Sequence, residues 1–294
     1  MPSVLSALVE QHGARHAFSL CLSPRSGLLL LGGRATLDAL HWAGATSATM
    51  VRGSPERFTL RVLDVRAEDT ASGRGRGGRG GRGRRAGRAG GVRSTTSLRV
   101  PRSALNPTLV DSGTTFFFVS APLWRAMHAR LRMAFPALRR TGAHHVCAHM
   151  SATQRDALPA FELLLDGPGG YSALSRPLVL WPRHYMVRYP SPRRRGGRQR
   201  RRGGERQFYC ADIFNNGRGG TVLGASVLRH REVIFDLATS TISFVDADCD
   251  AITPSTAHMR GAYALAPCSS PGSWEGERRQ AAAQRNATHA THSS

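Results

Sequence analysis

The amino-acid sequence predicts a mainly β protein, a β-barrel-like sandwich with short helices. Three observations predict it. Apolar runs are short and bounded by Gly, Pro and Ser turns, most of the later runs alternate with polar residues, and only two segments carry a helical period. With 294 residues, 40% of them apolar, the chain can bury a sizeable core in one or two lobes. No apolar run reaches the length needed to span a bilayer.

Taken in order, Pro2 to Glu10 reads as a short amphipathic helix with Val4, Leu5, Leu8 and Val9 on one side. Residues 17–22 and 27–32 are strands around a Ser-Pro-Arg-Ser turn, apolar on both faces as a buried central sheet requires. Phe58 to Val65 alternates and reads as a half-buried strand. Leu98 to Val100 and Pro107 to Val110 lead into the string Asp111-Ser112-Gly113-Thr114-Thr115. Ser120 as N-cap and Pro122 in the first turn start a helix through Leu123, Trp124, Met127, Leu131 and Phe135. Leu158 to Leu165, Leu178 to Trp181, Tyr185 to Tyr189 and Phe208 to Ile213 are further strands. The alternating segments Thr221 to Leu228, Val233 to Leu237 and Thr241 to Val245 complete the β structure, and from Asp250 on the chain reads as a disordered tail.

The net charge of +22 has a local origin. Residues 71–94 hold eight Arg and no acid, and residues 190–207 hold eight Arg against Glu205. Such text cannot bury enough apolar surface to offset its ordering entropy, so both inserts read as disordered loops. The chain has no Lys, whereas nucleic-acid and membrane-surface binding normally recruit both cations. Biased composition therefore explains the charge at least as well as function does. Gly73 to Arg93 resembles the Arg-Gly-Gly boxes that bind RNA, but no aromatic residue interleaves with the Arg, which weighs against a nucleic-acid partner. His144-His145 and His289 with His292 have no acidic or Cys partner at ligand spacing, so they read as solvated loop histidines, and no metal or cofactor is expected. Asn286-Ala287-Thr288 is an N-glycosylation acceptor by pattern.

Five separated blocks, in order, resemble the pepsin-like aspartic protease family over roughly residues 2–249. Pro2 to Leu22 with Leu30 to Gly33 looks like the segment that ends the first lobe, and Phe58 to Val65 like the strand opening the second. Leu109 to Thr115 resembles its catalytic loop. Leu158 to Leu163 followed by Cys210 is similar to the disulfide-closed hairpin region, and Val222 to Gly224, Val233 to Leu237 and Ile242 to Val245 resemble the last strands. The resemblance implies an incomplete bilobal architecture: residues 1–50 as the end of the first lobe with strands of the interlobe sheet, 51–249 as the second catalytic lobe, and 250–294 as the tail.

The chemistry of the family explains the motif. Two carboxylates close enough to share a proton cannot both ionise cheaply, so one stays protonated while the other acts as base on a water held between them. The resemblance makes Asp111 one of the two. It also implies that Ser112 hydrogen-bonds to the matching loop of the other lobe, that Gly113 permits the tight loop, and that Thr114, beside Thr115, bonds the outer oxygen of Asp111. Val222, Leu223 and Gly224 would thread behind the loop, with Ala225 where many relatives have Asp. Cys147 would pair with Cys210, and Cys21 with Cys249, leaving Cys268 over. The family's first Asp loop and flap Tyr belong to the first lobe, ahead of Met1, and no second Asp-[Ser/Thr]-Gly occurs in the chain.

The implied function is aspartic-type endopeptidase activity on a peptide or protein substrate, with the first lobe as the missing partner. The disulfides imply the secretory pathway or an extracellular site, although Met1 is followed by a capped polar segment in place of a signal peptide. The interlobe face is expected to expose apolar surface. Two alternatives stand beside this reading: a non-catalytic pepsin-like binding protein, and an Arg-Gly-rich nucleic-acid-binding protein.

Overall fold

The computed structural model describes residues 3–24, 26–32, 45–51, 57–68, 94–141, 145–170, 176–190, 207–250 and 263–264. The Gly/Arg text of both inserts, His144, Cys268, His289, His292, the acceptor Asn286 and nearly all of the expected tail lie outside these residues. The strands form four sheets.

The largest sheet has six strands, in the order Tyr263–Ala264, Gly27–Leu31, Ala17–Leu22, Arg231–Asp236, Thr241–Asp246, Thr46–Thr49, every neighbouring pair antiparallel. Ala17–Leu22 does lie inside a sheet, as its apolar text requires. Ala17, Ser19 and Cys21 are buried on one face; Phe18, Leu20 and Leu22 on the other are half-buried against the main core. Phe18 stacks on Phe235 at 4.6 Å and meets Phe58 edge-on at 5.5 Å. The bare apolar face expected along these strands is therefore largely covered. Among the described residues the exposed large apolar side chains are Val4 and Met133. Val4 was expected on the packed side of the first helix, but that helix, Val4–His12, starts two residues late, behind a Ser3 cap, and buries only Leu5.

Two four-stranded sheets carry Met186–Tyr189, Gln207–Ala211, His145–Met150 and Arg139–Thr141, and Leu178–Leu180, Phe161–Leu165, Val62–Glu68 and Thr95–Ser97. The fourth sheet, of five strands, runs Ile213–Asn215, Phe117–Val119, Thr221–Leu223, Thr108–Val110, Thr59–Leu60. The expected strand over 58–65 is split between two sheets: Thr59–Leu60 pairs with Thr108–Val110, and Val62–Glu68 pairs with Phe161–Leu165. Exposed Arg61 marks the corner where the strand changes sheets. Asn106 clamps this corner to the strand that leads to Asp111. Its Oδ1 accepts from the Val62 N–H at 2.9 Å and its Nδ2 donates to the Val62 carbonyl at 2.9 Å.

Other expectations shift where tertiary partners intervene. The strand expected from Leu158 begins at Phe161, because the Pro159 carbonyl accepts from the Tyr185 hydroxyl at 2.6 Å. Tyr185 itself ends a helical turn, Pro182–Tyr185, and the strand starts at Met186. Thr221 to Leu228 is a strand only through Leu223, after which Ala225–Leu228 is helical. Tyr263–Ala264 of the expected tail pairs with Gly27–Leu31.

The long helix spans Ala121–Ala134, buries Leu123, Met127, His128 and Leu131, and has Pro in its first turn. Ser120 precedes it but does not cap it, since its hydroxyl is buried and makes no hydrogen bond among the described residues. Ser120→Ala is therefore expected to leave stability unchanged or raise it by up to about 1 kcal/mol, whereas a capping serine would lose about 1 kcal/mol. Urea unfolding of the variant distinguishes the two.

Cys21 with Cys249 and Cys147 with Cys210 lie at S–S distances of 2.06 Å and 2.11 Å, the two pairings the resemblance implied. They close separations of 228 and 63 residues. Two disulfides are compatible with an oxidising, secreted or extracellular environment.

Candidate functional site

Asp111 leaves the end of strand Thr108–Val110, in the interior of the five-stranded sheet. That strand is flanked by Thr59–Leu60, antiparallel, and Thr221–Leu223, parallel, so the chain is held on both sides up to the carboxylate. The Asp111 N–H donates to the Leu223 carbonyl at 3.1 Å. Beyond it the chain turns at Ser112 and Gly113. The Gly113 N–H donates to Asp111 Oδ1 at 2.9 Å and the Thr114 hydroxyl donates to Asp111 Oδ2 at 2.5 Å. Each carboxylate oxygen thus has one local donor, which fixes the plane of the group while leaving it half-exposed. Ser112 is exposed and makes no hydrogen bond among the described residues.

The segment behind the loop is built to match. Val222 registers with Leu109 on one side and Phe118 on the other, and Leu223 with Val110 and Phe117. Gly224 then passes so close that a Cβ there would sit 2.2 Å from the Phe116 carbonyl oxygen and 2.5 Å from that of Thr114. This approach ends the strand and starts the helical turn. The Ala225 N–H donates to the Thr114 carbonyl at 2.7 Å and the Ser226 N–H to that of Thr115 at 3.0 Å. These two donors are the first of the turn and would be orphans without the loop. Loop and turn therefore satisfy each other.

The structure thus brings together Asp111, Ser112, Gly113, Thr114, Thr115, Val222, Leu223 and Gly224. It also places beside them an aromatic group that sequence reading missed. Phe214 comes alongside through the parallel pairing of Ile213–Asn215 with Phe117–Val119. Its ring lies 4.6 Å from that of Phe116 and 5.6 Å from that of Phe118. The Phe116 to Phe118 run was visible, but nothing local announces its pairing across 96 residues. No hydrogen bond or ion pair links Asp111 to a second carboxylate among the described residues.

Elsewhere the charged interior is pinned by burial. Burial holds His128 down to about 4, against its hydrogen bond to the Ile213 carbonyl, so the ring is neutral. Glu232 faces away from the main core, opposite Cys21 in the sheet register. Burial pushes its carboxyl up, opposed by a 2.5 Å hydrogen bond from the Ser19 hydroxyl. Asp236, on the same strand, goes the other way: burial would raise it, but hydrogen bonds from Arg15 and Thr239 lower it. A folded-state pKa above the unfolded one makes stability fully present below the unfolded value of 4.5 and lost as pH rises through the folded value. Glu232→Gln is therefore expected to reduce the loss of stability between about pH 4.5 and neutrality, measured by urea unfolding at both ends. An unchanged pH dependence would show that Glu232 titrates normally.

No protein-family model matches this chain, and no curated protein sequence matches it. Among solved structures, that of basic 7S globulin from soybean is similar with a TM-score of 0.57 at 18% identity, over 85% of this chain and 58% of that one. That protein has a pepsin-like fold. The likeness establishes the fold here, a mainly β pepsin-like architecture, and the chain spans 58% of the length of the structure it matches.

Proposed function

From a pepsin-like fold with Asp-Ser-Gly-Thr-Thr at the end of an interior strand, we propose that this chain supplies one catalytic carboxylate of an aspartic endopeptidase. The observation that carries the reading is the holding of Asp111: one oxygen bonded by the Gly113 N–H, the other by the Thr114 hydroxyl, at a turn that leaves the carboxylate accessible.

In this reading a second carboxylate, from a lobe not among the described residues, shares a proton with Asp111, and Ser112 bonds to the loop that carries it. Low-cost ionisation of only one member makes the other an acid. The ionised member takes a proton from water as the oxygen attacks the peptide carbonyl; the protonated member donates to the carbonyl oxygen that becomes negative. Collapse of the tetrahedral intermediate returns a proton to the leaving amine. Phe116, half-buried and braced from behind by the buried Phe214, offers an aromatic contact for an apolar substrate side chain.

The reading requires a segment that carries an apolar-apolar-Asp-[Thr/Ser]-Gly loop and a flap Tyr. Expressed with that segment, the protein should hydrolyse peptides at acid pH and bind tightly a peptide whose scissile bond is replaced by hydroxyethylene. Among the described residues the carboxylate of Asp111 is bonded by Gly113 and Thr114 and by no second carboxylate, which favours a second reading, a non-catalytic pepsin-like binding protein. That reading predicts hydroxyethylene-peptide binding without hydrolysis.

A further inference from the structure

A cavity of about 230 Å³ lies between the Leu178–Leu180 strand and three strands of the six-stranded sheet, and no residue of the Asp111 loop lines it. Thr46 ties its two sides together by donating to the Pro177 carbonyl at 3.1 Å. Its most buried charge is Arg231, only 2% exposed. Arg231 donates from Nε to Asp246 Oδ1 at 3.2 Å, from Nη1 to the Val227 carbonyl at 2.7 Å, and from Nη2 to the Val179 carbonyl. These bonds hold the guanidinium rigidly in a site where most of its water has been removed.

The charges around it do not balance. Arg176 also lines the cavity, is exposed, and forms no ion pair with a carboxylate among the described residues. Among the described residues the single lining carboxylate is Asp246, which is 59% exposed and already paired with Arg231. His184 lies 3.4 Å from Arg231 Nη2; burial, then the charges of Arg231 and Arg183, lower its pKa to about 2, so it adds no compensating charge of either sign. The remaining walls are apolar and include Trp181, Phe244 and Pro177.

We propose that this cavity binds a small aromatic carboxylate, its ring between Trp181 and Phe244 and its carboxylate between Arg176 and Arg231. The bonds to Asp246, Val227, Val179 and His184 leave Arg231 one Nη1 N–H, so the two-oxygen grip on a planar carboxylate falls to the Arg176 guanidinium. Arg231 contributes fixed charge, and Arg176 a donor free to swing onto the ligand. The size fits: an apolar cavity of roughly 150 Å³ accepts benzene, so this one has room for a ring and a carboxylate but not for a drug-sized molecule. The acid is either free or the C-terminal residue of a peptide.

The test is calorimetric titration of the intact chain with phenylacetate, phenylacetamide, inorganic phosphate and the peptide Gly-Gly-Phe. Saturable one-to-one binding of phenylacetate is expected for a free acid, and tighter binding of Gly-Gly-Phe for a peptide terminus. Phenylacetamide and phosphate should each bind at least about tenfold more weakly than the better acid, and Arg176→Gln should weaken that acid by a similar factor. Arg231 carries structural bonds, so the exposed Arg176 is the position that tests the site without disturbing the fold. A hydroxyethylene peptide should not compete. No binding by either acid, equal binding of the amide or of phosphate, or unchanged affinity in Arg176→Gln would each overturn the proposal.

Discussion

Asp111→Asn is expected to lower peptide hydrolysis by on the order of 10²–10⁴-fold in the protein carrying both carboxylate loops, while leaving its unfolding midpoint in place. The amide is nearly isosteric with the carboxylate. Its oxygen can keep the Gly113 N–H, and the Thr114 hydroxyl, now facing an NH₂, can turn from donor to acceptor. Nothing in the loop's backbone needs to move. In the proposed mechanism what disappears is the proton shared between two carboxylates, and with it both the base that activates water and the acid that meets the developing oxyanion. The loss should therefore fall on kcat with KM little changed. Hydrolysis that survives the substitution would remove Asp111 from the reaction, whatever its geometry.

Gly224→Ala is expected to destabilise the chain by about 3 kcal/mol or more. The obstacle is not a movable side chain. The new methyl would fall 2.2 Å and 2.5 Å from two carbonyl oxygens, those of Phe116 and Thr114. Relief requires parting the strand from the loop, which would break the Ala225 and Ser226 hydrogen bonds and shift Thr114, the donor to Asp111. Urea unfolding should show a lower midpoint with an unchanged slope, and binding of the hydroxyethylene peptide should weaken in the residual folded protein. Wild-type stability in this variant would mean that the backbone there is free to relax.

The two variants separate the jobs of the site. On the proposed reading Asp111 bears the chemistry and can change identity cheaply; Gly224 bears none and cannot. Both positions were legible in the sequence, because the Asp111 loop is a local structure: a strand end, a two-residue turn and a threonine three residues on are all encoded within five positions. The apolar-apolar-Gly segment was legible as a string, though its role depends on parallel pairing with Leu109 and Val110 more than a hundred residues earlier.

The places where expectation and structure part share one cause. Ala225 to Leu228 alternates like a strand, yet its first two N–H groups find the loop carbonyls and it coils. Phe58 to Val65 is one run of strand-forming text, yet Arg61 divides it between two sheets. In each case local propensity, worth a few tenths of a kcal/mol per residue, was overruled by hydrogen bonds from residues distant in sequence, each contributing about 1 kcal/mol.

By itself, then, the amino-acid sequence determined the mainly β class, the Asp111 turn and the segment that supports it, since these rest on short-range periodicity and steric rules. Tertiary structure alone decided which strands share a sheet, that Phe214 stands beside Phe116, and that Arg231, unremarkable in a chain with 41 basic residues, is buried against a cavity. Burial is a property of what surrounds a residue, and no window of neighbouring letters contains that information.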